Sequence, residues 1–462
     1  FDTDSAAYNI PLAVRLSGEL DLAALERAVS DVVTRHEVLR TVYPTGPEGP
    51  YQRICSVGEV DLSLPTVRVT ESEIVSRVTK FAMRGFDVTA APPVRTTVVE
   101  ISPTEHVLMV VMHHIASDGA SVAPLARDIM VAYNARSRDD AAPQWTPLPV
   151  QYADYALWQL QRLGTPDDPE SLARKQADYW RGQLAGLPEV LDLPMDRPRP
   201  AVQSAAGAEL AFVIDADRHA RLLDLARARN ASLFMVLHTA FAVTLSRLSR
   251  ERDIAIGTPV AGRGEQVLDD LVGMFVNTLV LRTVVESDSS FADLLDAARE
   301  VDLSAFTHAD MPFEQMLELL EVERSTAYSP LFQVMFTMQN NAQATFELPG
   351  LTVSGVPAAA DISRFDLQLT VADARDADGA AADLEATLTY ATALFDASTV
   401  AGFGDTFVRV LDAVVADPAC PVGDVEIADA ADLGAIAQVN ETSQAVVGST
   451  LVELFEQQVL RT

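Results

Sequence analysis

Apolar residues recur along the first third of the chain with two different periods. Alternation over residues 8–16 predicts a strand, and an apolar stripe at helical spacing predicts a helix that ends near Arg35, with Asp21 as its N-cap. The unbroken apolar run from Val107 to Met112 predicts a strand buried on both faces. A helical pattern resumes at Ser121, so a short loop joins this strand to the next helix.

The rest of the pattern predicts a chain in which the order strand, helices, strand occurs twice. Helices are predicted over 71–85, 121–134, 171–184, 215–230, 232–248 and 398–415, with Ser232 as the N-cap of the helix over 232–248. Strands are predicted over 94–101, 209–214, 253–260, 365–371 and 384–390. The apolar stretch 272–282 predicts a buried strand, and the Pro-rich segment 193–200 predicts the crossing between the two halves. The predicted fold class is therefore α/β, in the broad sense that includes α+β arrangements.

Composition narrows the class of protein. The chain has 462 residues, too many for one ordinary core, and its net charge of −32 argues against the basic surface that nucleic-acid binding requires. Cys55 and Cys420 lie far apart without metal-ligand spacing, which predicts no zinc site, no disulfide framework and a reducing, cytoplasmic location. No apolar run has the length of a membrane span, so no membrane partner is expected. The first residue is Phe1, and we expect a piece of a longer polypeptide.

The loop after the apolar strand carries the strongest candidate chemistry. His113 and His114 stand side by side at the strand end, and Asp118 and Gly119 follow in the loop. Histidine is the side chain whose ordinary pKa lies near neutrality, so an imidazole aimed into a cleft can accept and return a proton. Asp118 could fix the loop by pairing with a cation. A histidine near an apolar strand is more often structural, and the residues alone leave both interpretations open.

The sequence His-His-x-x-x-Asp-Gly resembles the signature of the condensation domains of nonribosomal peptide synthetases and of related CoA-dependent acyltransferases. Further stretches resemble other motifs of the condensation domains in the same order, namely 35–41, 152–158, 272–282, 308–314 and 329–336. Together they extend from Arg35 to Phe336, and on them the chain is identified as similar to a condensation domain. Two positions depart from the family pattern: Ala120 replaces the usual Trp, and Tyr328-Ser329 replaces the usual Arg-Asn.

The resemblance implies a fold, a reaction and partners. The fold would be two chloramphenicol-acetyltransferase-like lobes in a V-shaped pseudo-dimer with a central tunnel. Residues 1–185 would form the first lobe and 186–427 the second, and 428–462 would be a linker and the start of an adenylation domain. The reaction would join a donor thioester to an acceptor amine as an amide. Carrier proteins would deliver both substrates on phosphopantetheine arms, and the domain itself would bind no cofactor and no metal.

The resemblance also implies site residues. It places His114 at the chemistry, either as a base or by positioning the amine, within a catalytic motif completed by His113, Asp118 and Gly119. Arg263 is expected to pair with Asp118, and Arg40 is expected to support the site. Substrate-tunnel residues are expected at Asn277, Ser117 and Ala120.

Four alternatives and a subtype remain at this point. The alternatives are an epimerisation domain, a heterocyclisation domain, a free-standing CoA-dependent acyltransferase and a non-catalytic recruitment domain. Epimerisation domains differ from this chain in the motifs downstream of the His motif, and heterocyclisation domains have Asp in place of its first His. The tail after residue 428 argues against a free-standing acyltransferase. Recruitment domains tend to lose the active-site His, which is present here. Ala116, residues 269–273 and the insertion 167–172 favour the subtype that accepts a D-configured donor.

Overall fold

The computed structural model describes residues 5–47, 49–339, 348–356, 362–375, 379–428, 430–443 and 448–461. Its helices are α1 (Leu22–Arg35), α2 (Ile74–Ala82), α3 (Val122–Asp139), α4 (Tyr152–Leu163), α5 (Leu172–Gln183), α6 (Ala216–Ala228), α7 (Leu233–Ser249), α8 (Phe291–Thr307), α9 (Phe313–Leu319), α10 (Ala397–Ala416), α11 (Ala430–Val439) and α12 (Leu451–Val459). Its strands are β1 (Asn9–Gly18), β2 (Thr41–Val42), β3 (Thr45–Gly46), β4 (Gly49–Pro50), β5 (Arg53–Ile54), β6 (Thr66–Arg68), β7 (Val94–Ser102), β8 (Glu105–His113), β9 (Gly207–Ile214), β10 (Asp253–Val260), β11 (Asn277–Val284), β12 (Val334–Gln339), β13 (Leu351–Gly355), β14 (Leu367–Ala372) and β15 (Leu384–Ala391).

Two main sheets organise the chain. One has five strands in the order β13-β1-β8-β7-β6, and the other has six in the order β11-β10-β12-β14-β15-β9. In the first sheet β8 is the central strand, antiparallel to both β1 and β7. Residues 107–112 of β8 are each at most 3% exposed, which confirms the prediction of a strand buried on both faces. The sheet thereby holds the end of β8, and with it His113, in a fixed place.

A strand from the second half of the chain completes the first sheet. β13 pairs antiparallel with the outer edge of β1, with Val14 opposite Gly355 and Gly18 opposite Leu351. The expected boundary between the lobes, at residues 185 and 186, assigns 351–355 to the second lobe. The boundaries stay a prediction, but a division by sheets places this strand with the first lobe. Sequence periodicity could not indicate it, because an edge strand of five residues carries no signal for its partner.

Helix α7 is the most buried helix of the second half. Residues 235–246 are at most 9% exposed, and they pack with α8, α10 and the six-stranded sheet in one hydrophobic core. The predicted N-cap is confirmed, since the Ser232 side chain accepts a hydrogen bond from the Met235 amide. Among the described helices, none is by itself both long and apolar enough to cross a membrane. The pair α6 and α7 passes that test jointly, across a bend of 103°.

Two predicted elements differ in the structure. The stretch 272–282 is a strand only from Asn277, because the preceding residues bond to side chains of the first half instead of to a neighbouring strand. The linker over 428–450 contains helix α11, whose good helix formers outweigh the weak apolar pattern, although residues 429 and 444–447 lie outside the described part. Helix α12, where an adenylation domain is expected to start, is exposed along its length.

Candidate active site

The His pair lies where β8 gives way to two short 3₁₀ turns. The first turn, His114–Ala116, is capped by His113, whose Nδ1 accepts a hydrogen bond of 3.1 Å from the Ile115 amide. The second turn, Gly119–Ser121, is capped by Asp118 and leads directly into α3. This strand-turn-helix junction fixes the backbone on both sides of the pair.

His114 is held by its backbone and is partly buried. Its amide donates to the Tyr8 carbonyl, with the nitrogen and oxygen 2.7 Å apart. Burial lowers the pKa of His114, and the positive charge of Arg364 lowers it further, whereas carbonyl groups of the loop and the charge of Asp118 act in the opposite direction. Because the net direction is downward from 6.5, the neutral imidazole is favoured at neutral pH, and a neutral imidazole can accept a proton on one ring nitrogen.

His113 has a supporting position beside it. Its ring lies 6.0 Å from the ring of Tyr8 and 6.0 Å from that of Phe86, between centroids. Burial, followed by the charges of His114 and Arg364, lowers the pKa of His113 to about 4. The neutral form agrees with the role of its Nδ1 as an acceptor, because a protonated Nδ1 could not accept the Ile115 amide.

Asp118 is a junction between the two halves of the chain. Its Oδ1 accepts hydrogen bonds from the Ser121 amide at 2.9 Å, the Ser121 hydroxyl at 2.7 Å and Arg263 Nη2 at 3.1 Å. Its Oδ2 accepts from the Phe275 amide at 3.0 Å. Asp118 and Arg263 are both nearly inaccessible, with side chains 4% and 6% exposed. A carboxylate that already accepts four hydrogen bonds holds structure and has little capacity left to bind a substrate.

The loop from Arg263 to Phe275 is bound to the first half at several further points. The Ser121 hydroxyl lies 2.9 Å from the Gly273 carbonyl oxygen and 3.1 Å from the Gly273 amide. The Tyr152 hydroxyl donates to the Met274 carbonyl at 2.8 Å. Gly273 is required here, because a Cβ at this position would lie 2.4 Å from the Tyr152 ring. Side chains of the first half therefore hydrogen-bond to backbone groups of this second-half loop and hold it against the His loop.

The predicted tunnel residues occupy three different environments. Ser117 is fully buried, and its hydroxyl donates to the Asp118 carbonyl at 3.4 Å, so it offers no accessible surface to a tunnel. Ala120 is partly buried and Gly119 is exposed. The Asn277 amide is occupied by the backbone, because it donates to the carbonyls of residues 309 and 311 and accepts from the amides of 278 and 313. Burial excludes Ser117 from lining a tunnel, whereas tunnel lining by Ala120 and Asn277 stays a prediction.

Arg40 is bound to residues of its own part of the chain, and its support of the site stays a prediction. Its guanidinium donates to the Cys55 carbonyl and to Glu37, at 2.5 and 3.1 Å. The contact with the His loop comes from Tyr43, whose hydroxyl donates to the Ile115 carbonyl at 3.4 Å.

The sequence motifs missed several residues that surround the His pair. Ser121 had a local signal, since Asp-x-x-Ser at a helix start is the spacing of a capping pair. Tyr8, Phe86 and Arg364 had none, because each reaches the loop from a distant part of the chain. Two cavities, of about 360 and 580 Å³, are lined by residues 181–189 with 320–331 and by 192–198 with 248–250, away from the His pair. In the described ranges, no cluster of three or more His, Cys, Asp or Glu side chains could hold a metal ion.

Comparison with known proteins agrees with this geometry. A family model described as "Condensation domain" matches residues 1–436. A probable non-canonical nonribosomal peptide synthetase, CymA, of Salinispora arenicola is 48% identical over 423 residues, which cover 92% of this chain and 5% of that protein. A dimodular nonribosomal peptide synthase of Bacillus subtilis is 42% identical over 455 residues, which cover 98% of this chain and 19% of that protein. The chain thus spans from about a twentieth to a fifth of the length of these relatives.

Solved structures show the same fold. The X-domain from teicoplanin biosynthesis superimposes with a TM-score of 0.88 at 33% identity, over 92% of this chain and 94% of that one. The match therefore covers most of both halves of the chain. With the family model matching most of the sequence, and with the His motif at the junction of the two halves, this chain belongs to the condensation-domain family of nonribosomal peptide synthetases.

Proposed function

We propose that this copy of the domain is catalytic and forms an amide bond between two substrates held as thioesters. The donor is a peptidyl or aminoacyl thioester and the acceptor is an aminoacyl thioester, each on the phosphopantetheine arm of a carrier protein. An adjoining adenylation domain and a cytoplasmic location stay predictions, as does the absence of a cofactor bound by the domain itself. The observation that carries the proposal is the position of His114 directly after β8, where its amide is held by the Tyr8 carbonyl and burial lowers the pKa of its side chain.

The chemistry requires little more than a placed amine and a group that accepts its proton. An α-amine has a pKa of roughly 7.7–8.0, so a useful fraction is neutral near pH 7. When that amine attacks the thioester carbonyl, the C–N bond forms, the nitrogen becomes positively charged and the C–S bond then breaks. His114 accepts the proton and returns it to the departing thiolate. Holding both substrates in place contributes as well, because it replaces a bimolecular encounter and is worth several kcal/mol.

A non-catalytic recruitment domain is the second candidate. It is favoured by the similarity to the teicoplanin X-domain, which has also been solved as a complex with OxyB. Against it stands the intact motif, because a recruitment surface has no need of an uncharged His beside a carboxylate that ties both halves together.

A reconstitution with two loaded carrier proteins separates these functions. The chain is mixed with one carrier bearing a donor and one bearing an acceptor amino acid, and the product on the acceptor carrier is measured by mass spectrometry against a reaction without the chain. We expect a dipeptidyl product, and the use of donors of either configuration tests the expected preference for a D-configured donor. Binding of the carriers without any product would contradict the catalytic proposal and favour recruitment.

A further inference from the structure

Arg364 brings a positive charge from the second half of the chain to the His pair. It lies three residues before β14, and its Nε donates to the Ala7 carbonyl at 2.7 Å. Its Cζ lies 4.8 Å from the centroid of the Tyr8 ring. Tyr8 is also the residue whose carbonyl accepts the His114 amide. The same short segment therefore holds the guanidinium and the backbone of His114.

The remaining donors of this guanidinium are its two Nη groups. Among the described residues, neither Nη atom of Arg364 has a hydrogen-bond acceptor, and no carboxylate lies within ion-pair distance. The arginine at the centre of the junction, Arg263, is by contrast paired with Asp118. A partly buried cation without a counter-charge is costly, and the chain carries an excess of carboxylates that could have paired with it.

In the described part of the chain, the groups near Arg364 carry no negative charge that is free to pair. His113 and His114 both feel its charge and are uncharged near neutral pH. Asp118 is the nearby acid of the loop, and both its oxygens are occupied by Arg263, Ser121 and the Phe275 amide. Within the described ranges, the site therefore holds a positive charge that has no partner before substrate binds.

We propose that Arg364 is a catalytic residue whose Nη groups bind the acyl oxygen of the donor thioester and stabilise the negative charge that forms on it. This inference rests on the proposed amide-forming function and adds a residue to it. Stabilisation that appears only as charge develops accelerates the chemical step, because it favours the transition state over the bound substrate.

The charges balance at each stage. The amine lone pair forms the C–N bond, and the carbonyl π electrons move to the oxygen, which becomes an anion facing Arg364. His114 takes the proton from the new ammonium. The oxygen electrons then re-form the carbonyl, the C–S bond breaks, and the thiolate receives the proton from His114. Arg364 stays protonated throughout and exchanges neither protons nor electrons.

Substitution of Arg364 tests the rate. In Arg364→Met we expect the kcat of amide formation to fall by about a hundredfold, the usual effect of losing one donor to an oxyanion, with a small change in donor KM. Arg364→Lys keeps the charge without the forked donors and is expected to lie between. Arg162→Met is the matched control, because Arg162 also stacks on an aromatic ring, that of Trp158, and is not among the charges that act on either His. We expect it to keep the wild-type rate.

A binding measurement separates failure of this inference from failure of the proposed function. Two donor analogues on a carrier protein are titrated calorimetrically: one has an anionic tetrahedral phosphonate in place of the thioester carbonyl, and the other a neutral amide. We expect the wild-type chain to prefer the phosphonate by about tenfold or more, and Arg364→Met to lose that preference while binding the amide equally well. Equal phosphonate affinity in both proteins would overturn the inference, even if the wild-type chain forms no product. If it does form product, an unchanged kcat in the variant would overturn it too.

Discussion

Asp118 and Arg263, 145 residues apart in the sequence, form a buried ion pair with Oδ1 and Nη2 3.1 Å apart. Asp118 caps the turn that follows the His pair, and Arg263 belongs to a loop of the second half. The guanidinium also donates to the carbonyls of Leu268 and Leu271, at 2.6 and 2.9 Å. This pair therefore joins the loop that carries His114 to the loop that packs against it, and the placement of His114 depends on both.

Breaking that pair is expected to destabilise the protein strongly. Arg263→Met leaves Asp118 buried with one fewer donor, and loss of one partner of a buried ion pair costs about 3–5 kcal/mol. We expect a large fall in the urea midpoint of unfolding. Arg252→Met is the matched control, because Arg252 and Glu286 form an exposed pair that is worth at most about 1 kcal/mol. Similar shifts for the two variants would contradict a central role for the Asp118–Arg263 pair.

The loop that contains Arg263 also sets a requirement at Gly262. Its φ is +64°, and a Cβ there would lie 1.9 Å from the Phe275 carbonyl oxygen. Gly262→Ala is therefore expected to lower the melting temperature and the rate of amide formation together. Gly264→Ala, two residues further on, would meet nothing within 4 Å and is expected to be neutral. The geometry of this loop would be disproved by an alanine at 262 that is tolerated as well as one at 264.

Substitution of Asn277 is expected to lower the stability of the protein and to leave substrate binding unchanged. Asn277→Ala removes two bonds to carbonyls and leaves the amide of Phe313 without its acceptor, which costs about 1–3 kcal/mol. We expect a lower melting temperature and an unchanged KM for both loaded carriers. A raised KM at unchanged stability would instead support the prediction that Asn277 lines the tunnel.

The lowered pKa of His113 predicts a pH dependence of stability. Its folded-state pKa, about 4, lies below the value of roughly 6.5 expected for the unfolded chain, so the unfolded state binds the proton first as the pH falls. The stabilisation is fully present above about pH 6.5 and is lost progressively down to about pH 4. In His113→Gln this loss is absent. Between pH 7.5 and pH 4.5 the melting temperature of the wild type should therefore fall further than that of the variant. A constant difference over that range would contradict the assignment.

The sequence predicted the elements that have local signals. The apolar run in β8 and the caps at Asp21 and Ser232 are confirmed, because burial on both faces and capping are decided within a few residues. The helix predicted over 121–134 is confirmed as α3, which continues to Asp139. Strand β13 was missed, because its pairing with β1 depends on a contact between residues more than 300 positions apart.

For the site, the motif indicated the His loop but not its surroundings. Asp118 and Arg263 were expected as a pair from the family resemblance, and the structure places them in contact. Tyr8 and Arg364 were not expected, because each reaches the loop from a distant part of the chain. The capping signal at Ser121 was local and was missed. Ser117 was expected in a tunnel and is buried, since the 3₁₀ turn directs it inward.

The central claim is that this copy forms amides and that His114 carries the chemistry. Its most direct test is the single-turnover rate of product formation between two loaded carriers, compared for the wild-type chain, His114→Ala and His308→Ala. The His308 side chain binds the Ser304 carbonyl and stacks on Tyr179, so its variant controls for the loss of a histidine. We predict product from the wild type and the control at equal rates, and a loss of about a hundredfold or more in His114→Ala, the range for removal of a general base. A His114→Ala rate within about threefold of the wild type, or no product from the wild type, would contradict the claim.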